Sequence, residues 1–207
     1  MAVETNLVLD KMVEYRVSIM PADATFRFLE IGTASGKTTQ RIIQLLKKIR
    51  VKNFEVYACD PFVSYWEKEG RNEEETYKKF LEMNGSEIDN GILTFERASS
   101  EEFLTKLRHK NGKNFFDVVF IDGAHDAYSV IKDFILSDIL LKLHGYIIFD
   151  DYAWISKIEK KGIIEEGLPR HPAYSPVASI DFIKNILTIN YRYEISNGTP
   201  VMAKVRE

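Results

Sequence analysis

The segment Phe115-Phe116-Asp117-Val118-Val119-Phe120-Ile121 carries one polar residue in seven. A strand this apolar on both faces has to be covered on both, which is the situation of a central strand in a parallel sheet held between two helix layers. The neighbouring sequence supplies the layers. Phe26 to Ile31 reads as a strand, followed by a glycine-containing turn and a helix with Ile42, Leu45, Leu46 and Ile49 on one side. Phe54 to Cys59 repeats the pattern, with a polar connection and a helix carrying Tyr77, Phe80 and Leu81 that is expected to stop at Asn84-Gly85. A strand from Ile92 to Glu96 and a helix from Glu101 to His109 form a third unit. After the central strand, a helix from Ala127 to Leu143 leads through Gly145 into a strand from Tyr146 to Phe149.

Two further segments complete the pattern. Ahead of the first strand, Val8, Met12, Tyr15 and Ile19 recur at helical spacing and Pro21 ends the run, so residues 5–20 are expected to form a helix on one face. At the other end a helix carries Ile180, Ile183 and Leu187. Tyr191, Tyr193 and Ile195 then alternate with polar residues, Asn197-Gly198 turns the chain, and Val201, Ala203 and Val205 alternate again. That is a hairpin, so the last strand runs against the others. The expected fold is α/β: a doubly wound, Rossmann-like seven-stranded sheet, mostly parallel with a reversed last strand, in a single domain over residues 1–207.

Charge narrows the function. The 207 residues have a formal net charge of -3 with both signs interspersed, which speaks against a nucleic-acid partner. The single cysteine, Cys59, allows no internal disulfide. The first residues carry no basic leader and no run of 18 apolar residues occurs, so the expectation is a cytoplasmic protein with no membrane partner; a homo-oligomer is compatible with the sequence.

Ligands of open α/β sheets bind beyond the carboxyl ends of the strands. The first such end reads Glu30-Ile31-Gly32-Thr33-Ala34-Ser35-Gly36-Lys37-Thr38. Two glycines four apart permit a sharp turn and close approach of the backbone to a ligand. A dinucleotide site would require G-x-G-x-x-G, which is absent. A phosphate loop requires G-x-x-x-x-G-K-[ST]; the segment is one residue short, and Glu30 would face polyphosphate, which leaves an NTPase as a remote alternative. A tight turn with no ligand is a further alternative.

An acidic residue followed by G-x-x-x-G at the first strand end, Asp60 in Ala58-Cys59-Asp60-Pro61 at the second, Asp122 at the fourth and a terminal hairpin resemble, in this order, the class I S-adenosylmethionine-dependent methyltransferases. The resemblance covers most of the chain. It implies that Glu30, Gly32, Thr33, Ala34, Gly36, Thr38, Asp60, Ser99 and Asp122 surround S-adenosylmethionine, with Asp60 accepting hydrogen bonds from the ribose hydroxyls. Ser99, in Ala98-Ser99-Ser100 at the third strand end, occupies the adenine-contacting position where the family often has Asp. Asp60 before Pro61 also suits a simple turn former.

If the fourth and fifth strands are neighbours, about 4.8 Å apart, Asp122 converges on the pair Asp150-Asp151. Three carboxylates on one rim would repel unless neutralised, and a hard divalent cation, Mg²⁺ above all, does this. The alternative makes Asp150 and Asp151 helix caps with no metal. An Asp followed 28 and 29 positions later by an acidic pair is similar to the metal site of cation-dependent O-methyltransferases, and Asp122-Gly123-Ala124-His125 with the later Asp150-Asp151-Tyr152 is similar in particular to the branch acting on sugar hydroxyls and phenols of antibiotics, whose relatives include proteins called hydroxylases. The resemblance implies that Asp122, Asp150 and Asp151 hold the metal. It also implies that His125 is the general base, an imidazole being able to accept a proton near neutrality. Packing or capping is the plainer role for His125.

Phe62, Tyr65, Trp66, Tyr152 and Trp154 suit either an acceptor pocket or the core, and residues 152–176 are expected to form a variable segment on the acceptor side. The expected activity is methyl transfer from S-adenosylmethionine to a hydroxyl of a small molecule of sugar or phenol type. A metal-independent methyltransferase and a cofactor-binding module without catalysis are the alternatives.

Overall fold

A computed structural model describes residues 2–63, 72–150, 176–187, 190–196 and 199–206. The elements run α1 (Ala2–Ser18), β1 (Phe26–Ile31), α2 (Lys37–Lys48), β2 (Phe54–Cys59), α3 (Glu73–Asp89), β3 (Leu93–Glu96), α4 (Ser100–Asn111), β4 (Phe116–Ile121), α5 (Ala127–Leu140), β5 (Leu141–Phe149), α6 (Pro176–Phe182) continuing as a π-helical turn over Ile183–Leu187, β6 (Tyr191–Ser196) and β7 (Thr199–Lys204). The seven strands form one sheet in the order β3-β2-β1-β4-β5-β7-β6. Only β7 is reversed: it pairs antiparallel with both β5 and β6. None of the described helices is long and apolar enough to cross a membrane.

The central strand is β4, and all six of its residues are buried. Alternation along the strands builds one core on each face. Leu29, Ile31, Val119, Ile121, Ile147 and Phe149 pack with Phe103 and Leu104 of α4 and Val130 and Phe134 of α5. Phe26, Phe28, Val118, Phe120 and Ile148 pack with Val8, Leu9 and Val13 of α1 and Ile42, Ile43 and Leu46 of α2. Each fully buried side chain of this size contributes about 1.5–3 kcal/mol, so both helix layers are firmly held to the sheet.

The ends of α3 and α5 and the buried face of α1 differ from the sequence reading. Helix α3 runs through Asn84-Gly85 and ends at Asn90, where the Ile92 N–H reaches back to the Glu87 carbonyl at 2.9 Å. Asn84 is fully buried, and its amide donates to the carbonyls of Gly36 and Phe80, both at 3.2 Å. The residue expected to end the helix is therefore a clamp between α3 and the turn before α2. Helix α5 ends at Leu140 rather than Leu143, because residues 141–145 join β5 with a register shift opposite Phe116 and Val118. The buried stripe of α1 is Val8, Leu9 and Val13, while Tyr15 and Ile19 of the expected stripe are about half exposed. Arg16 explains the rotation: it shares the face of Leu9 and Val13 and reaches the buried Asp117 at 2.9 Å.

Candidate active site

Strand order reverses between β1 and β4, since β1 leads outward to β2 and β4 outward to β5. The loops after those strands therefore diverge and leave a crevice, as open α/β sheets do at such a switch point. A cleft of about 300 Å³ opens there, over the ends of β1, β2 and β4 and between α4 and α5. It brings together Gly32, Ala34, Asp60, Ser99, Asp122 and His125, residues far apart in sequence.

The turn after β1 is fixed by contacts within the protein. Gly32 (φ 84°) is so close to the loop after β4 that a Cβ there would overlap the Asp122 carbonyl and stand 2.6 Å from the Gly123 Cα. Gly36 (φ 78°) would place a Cβ on the Asn84 amide and 2.6 Å from Phe80. Both positions thus require glycine for packing as well as for backbone conformation.

Asp60 is the organising anion of the site. Its Oδ2 accepts the N–H groups of Thr33 and Ala34, both at 2.9 Å, and its Oδ1 accepts the Phe62 N–H at 2.7 Å. A carboxylate has about four acceptor positions, so room remains for about one further donor. This arrangement also argues against the NTPase alternative. The amides that would cradle a phosphate are already bonded to a carboxylate, and the cleft is lined by Glu73, Asp122, Asp126 and Asp133 besides Asp60. A polyanion would be repelled, whereas a cationic centre would be favoured.

Not every expected site residue reaches the cleft. Glu30 is fully buried beneath the turn, where its Oε2 accepts the Thr39 hydroxyl; burial pushes its carboxyl up to about 8. Thr33, Gly36 and Thr38 do not line the cleft either. Thr33 contributes its N–H to Asp60, and Gly36 packs on α3. Ser99 lines the cleft but caps α4: its Oγ takes the Glu102 N–H at 3.3 Å, and the Glu102 carboxylate takes the Ser99 N–H at 3.1 Å. That is a capping box.

Beyond Asp122 a smaller recess lies between β4 and β5, lined by Asp122, Gly123, Ala124, His125, Phe149, Asp150 and Ile180 among others. The parallel register pairs Ile121 with Phe149, and the Asp150 N–H donates to the Ile121 carbonyl at 3.0 Å. Asp122 and Asp150 therefore occupy adjacent strand ends, as expected. Asp151, the third expected metal ligand, lies outside the described residues, as do Tyr65, Trp66, Tyr152 and Trp154. Among the described residues no three His, Cys, Asp or Glu side chains gather closely enough to hold a metal ion. His125 lines both the cleft and the recess, next to Asp126, whose side chain caps α5 by accepting the Ser129 N–H at 3.0 Å. Phe62 belongs to the core, 3% exposed and packed on Tyr77, Phe80 and Phe95.

Sequence reasoning missed Asp133. It sits in α5, 3% exposed, and lines the cleft beside Cys59, Ser100 and Lys132. The Ser100 hydroxyl donates to its Oδ1 at 2.5 Å, and burial raises its carboxyl to about 6. A signal was available: Asp133 is the one charged residue on the buried stripe of Val130, Phe134, Ser137 and Leu140. Burial pushes the Cys59 thiol up as well, so it stays protonated and is no nucleophile.

A helix-flanked sheet ending in a reversed strand beside β5 is the architecture of the Rossmann-like methyltransferases, and known proteins of that class match this chain. The family model described as a methyltransferase domain matches residues 29–152. The chain belongs to that family. An uncharacterised protein of Acanthamoeba polyphaga mimivirus is 31% identical over 125 residues, which are 60% of this chain and 51% of that protein. This chain thus spans about half the length of the curated relative it matches. Among solved structures, an O-methyltransferase from Bacillus cereus in complex with SAH superposes with a TM-score of 0.60 at 16% identity, covering 97% of this chain and 80% of that one. The methyltransferase MycE in complex with Mg, SAH and mycinamycin VI superposes with a TM-score of 0.58 at 15% identity, over 95% of this chain and 48% of MycE. At such identities the likeness is one of fold.

Proposed function

We propose that this domain transfers the methyl group of S-adenosylmethionine to a hydroxyl oxygen of a small molecule. The observation that carries the reading is an acidic cleft at the switch point whose glycine turn is closed on Asp60 rather than left open for phosphate. A sulfonium is cationic, so this field favours it where it would repel a nucleotide phosphate. The B. cereus structure and the MycE structure both hold SAH, the product of such a donor, and the MycE structure also holds Mg.

The residues divide the work as follows. Asp60 holds the turn and offers its remaining acceptor position to a ribose hydroxyl. Gly32 and Ala34 bring backbone close to the donor, and the loop from Asp122 to His125 borders the path between cleft and recess. The sulfonium supplies an electrophilic methyl and a neutral thioether leaving group. The acceptor oxygen must then lie in line with carbon and sulfur, on the side of the recess. His125, bordering both spaces, would take the acceptor hydroxyl's proton onto an imidazole nitrogen. Asp122 and Asp150 are the described residues that would hold a divalent cation. Two carboxylates with water ligands suit Mg²⁺, which would lower the pKa of the acceptor hydroxyl.

Calorimetric titration with S-adenosylhomocysteine, with and without Mg²⁺, followed by turnover on a panel of sugar and phenol hydroxyls, tests the reading. Binding of the cofactor product and methylation of a hydroxyl are expected. Asp60→Ala should weaken binding by about 10- to 100-fold, the loss of a charge-assisted hydrogen bond. Absence of binding by the wild type would overturn the cofactor assignment, and binding without turnover on any acceptor would leave a non-catalytic module. Full activity in excess chelator would remove the cation.

A further inference from the structure

The donor proposed above has an asymmetric shape. Its sulfur hangs from C5′ of the ribose and its base from C1′, so the two project to opposite sides of the sugar. With the ribose at Asp60 and the reacting sulfur directed toward His125 and the recess, the base enters the other end of the cleft, between α4 and α5. That end is lined by Ser99, Ser100, Ser129, Lys132 and Asp133. Ser99, at the position expected to meet the base, has its side chain committed to the capping box with Glu102. A carboxyl group stands deeper at the same end.

We propose that Asp133, oriented by Ser100, reads the exocyclic amino group of the cofactor's adenine and so sets the purine specificity of this site. Four observations meet there. Asp133 is a charged residue on the buried stripe of α5, where packing alone would favour an apolar side chain. The Ser100 hydroxyl donates to Oδ1 at 2.5 Å, which fixes the plane of the carboxylate. Oδ2 points toward the loop after β4: a Cβ built on Gly123 would lie 3.6 Å from it. Lys132, the adjacent residue, forms its ion pair at 3.6 Å with Glu101 rather than with Asp133. A buried carboxylate held in this way is stabilised by an N–H donor entering the cleft. In its ionised form the carboxyl is an acceptor only. Adenine presents an amino donor at its C6 position. Hypoxanthine presents a carbonyl oxygen there, and the two acceptors would face each other.

The inference rests on the proposed cofactor, and one comparison separates the two. S-adenosylhomocysteine and S-inosylhomocysteine differ at C6 of the base, and each is titrated calorimetrically into wild type, Asp133→Asn and Ser100→Ala, with thermal unfolding of every variant as a control. The wild type should prefer the adenosyl compound by about tenfold or more, the discrimination of a built hydrogen-bonding site. Asp133→Asn, whose amide can turn either face to the base, should bring the ratio within about threefold. Ser100→Ala should fall between the two and serves as the test if Asp133→Asn does not fold. A wild type that binds the adenosyl compound without discriminating, or variants that keep its full discrimination, would overturn the role of Asp133 and leave the cofactor reading intact. A wild type that binds neither compound would overturn both.

Discussion

His125 gains its position from its neighbours. Asp126 caps α5, which fixes where the helix begins and leaves the preceding residue on the loop that borders cleft and recess. If it removes the acceptor proton, His125→Ala should lower kcat by about 10²-fold and leave affinity for S-adenosylhomocysteine nearly unchanged. Steady-state kinetics on an aliphatic hydroxyl, together with titration of the product, checks this; wild-type turnover in the variant would return the residue to packing. Glu30 has the opposite character, a carboxyl that supports the turn without reaching the cleft. Its folded pKa, about 8, lies above the ordinary 4.5 because burial disfavours the charge. The folded state therefore holds an extra proton between these values, so the stability Glu30 contributes is complete below about pH 4.5 and is lost as pH rises through about 8. Glu30→Gln should leave stability near pH 5 little changed and raise it relative to wild type at pH 8.5 by roughly 1–3 kcal/mol. Urea unfolding at the two pH values measures the difference; a constant gap would mean that Glu30 is not held protonated.

At the scale of elements, the turn between β1 and α2 works because three pieces of chain lie closer together than side chains allow. Gly32 touches the loop after β4, Gly36 touches Asn84 and Phe80 of α3, and Asn84 bonds to the Gly36 carbonyl. Gly36→Ala should push α2 from α3 and strain a left-handed backbone, at a cost of about 2–4 kcal/mol. It should also weaken cofactor binding, because the displaced turn carries the amides bonded to Asp60. Thermal unfolding and calorimetry on the same sample check both effects, and a variant as stable as wild type would show that the helices have room to separate.

Across the whole molecule, the end of the sheet opposite the cleft is tied together by one residue. Asp117, fully buried in β4, accepts Arg16 of α1 at 2.9 and 3.1 Å, the Arg27 N–H of β1 at 2.9 Å and Lys142 of β5 at 2.7 Å. Removing one partner of a buried ion cluster leaves the others uncompensated, so Asp117→Ala should cost about 3–5 kcal/mol. The cleft lies at the other ends of the strands, so S-adenosylhomocysteine affinity of the folded fraction should change less than about twofold. Chemical denaturation and titration below the melting transition test the separation. A large loss of affinity in the folded variant would mean that the two ends of the sheet are coupled.

Local pattern by itself determined the layers: the apolar run of β4 requires cover on both faces, and the alternation after Leu187 requires a hairpin. It also placed Gly32, Asp60, Asp122 and His125 at strand ends, because turn residues and carboxylates that interrupt apolar strands are visible one residue at a time. Tertiary structure decided whatever depended on partners distant in sequence. Asn84 reads as a helix stop until Gly36, 48 positions away, accepts its amide. Tyr15 and Ile19 read as core until Arg16 finds Asp117 and turns α1. Glu30 reads as a site residue until the α2 layer closes over it, and Asp133, a charge on the buried stripe of α5, becomes a cleft residue only where α4 and α5 meet. Periodicity reports which face of an element is apolar; where a polar side chain ends up depends on the donor or acceptor that the fold brings to it.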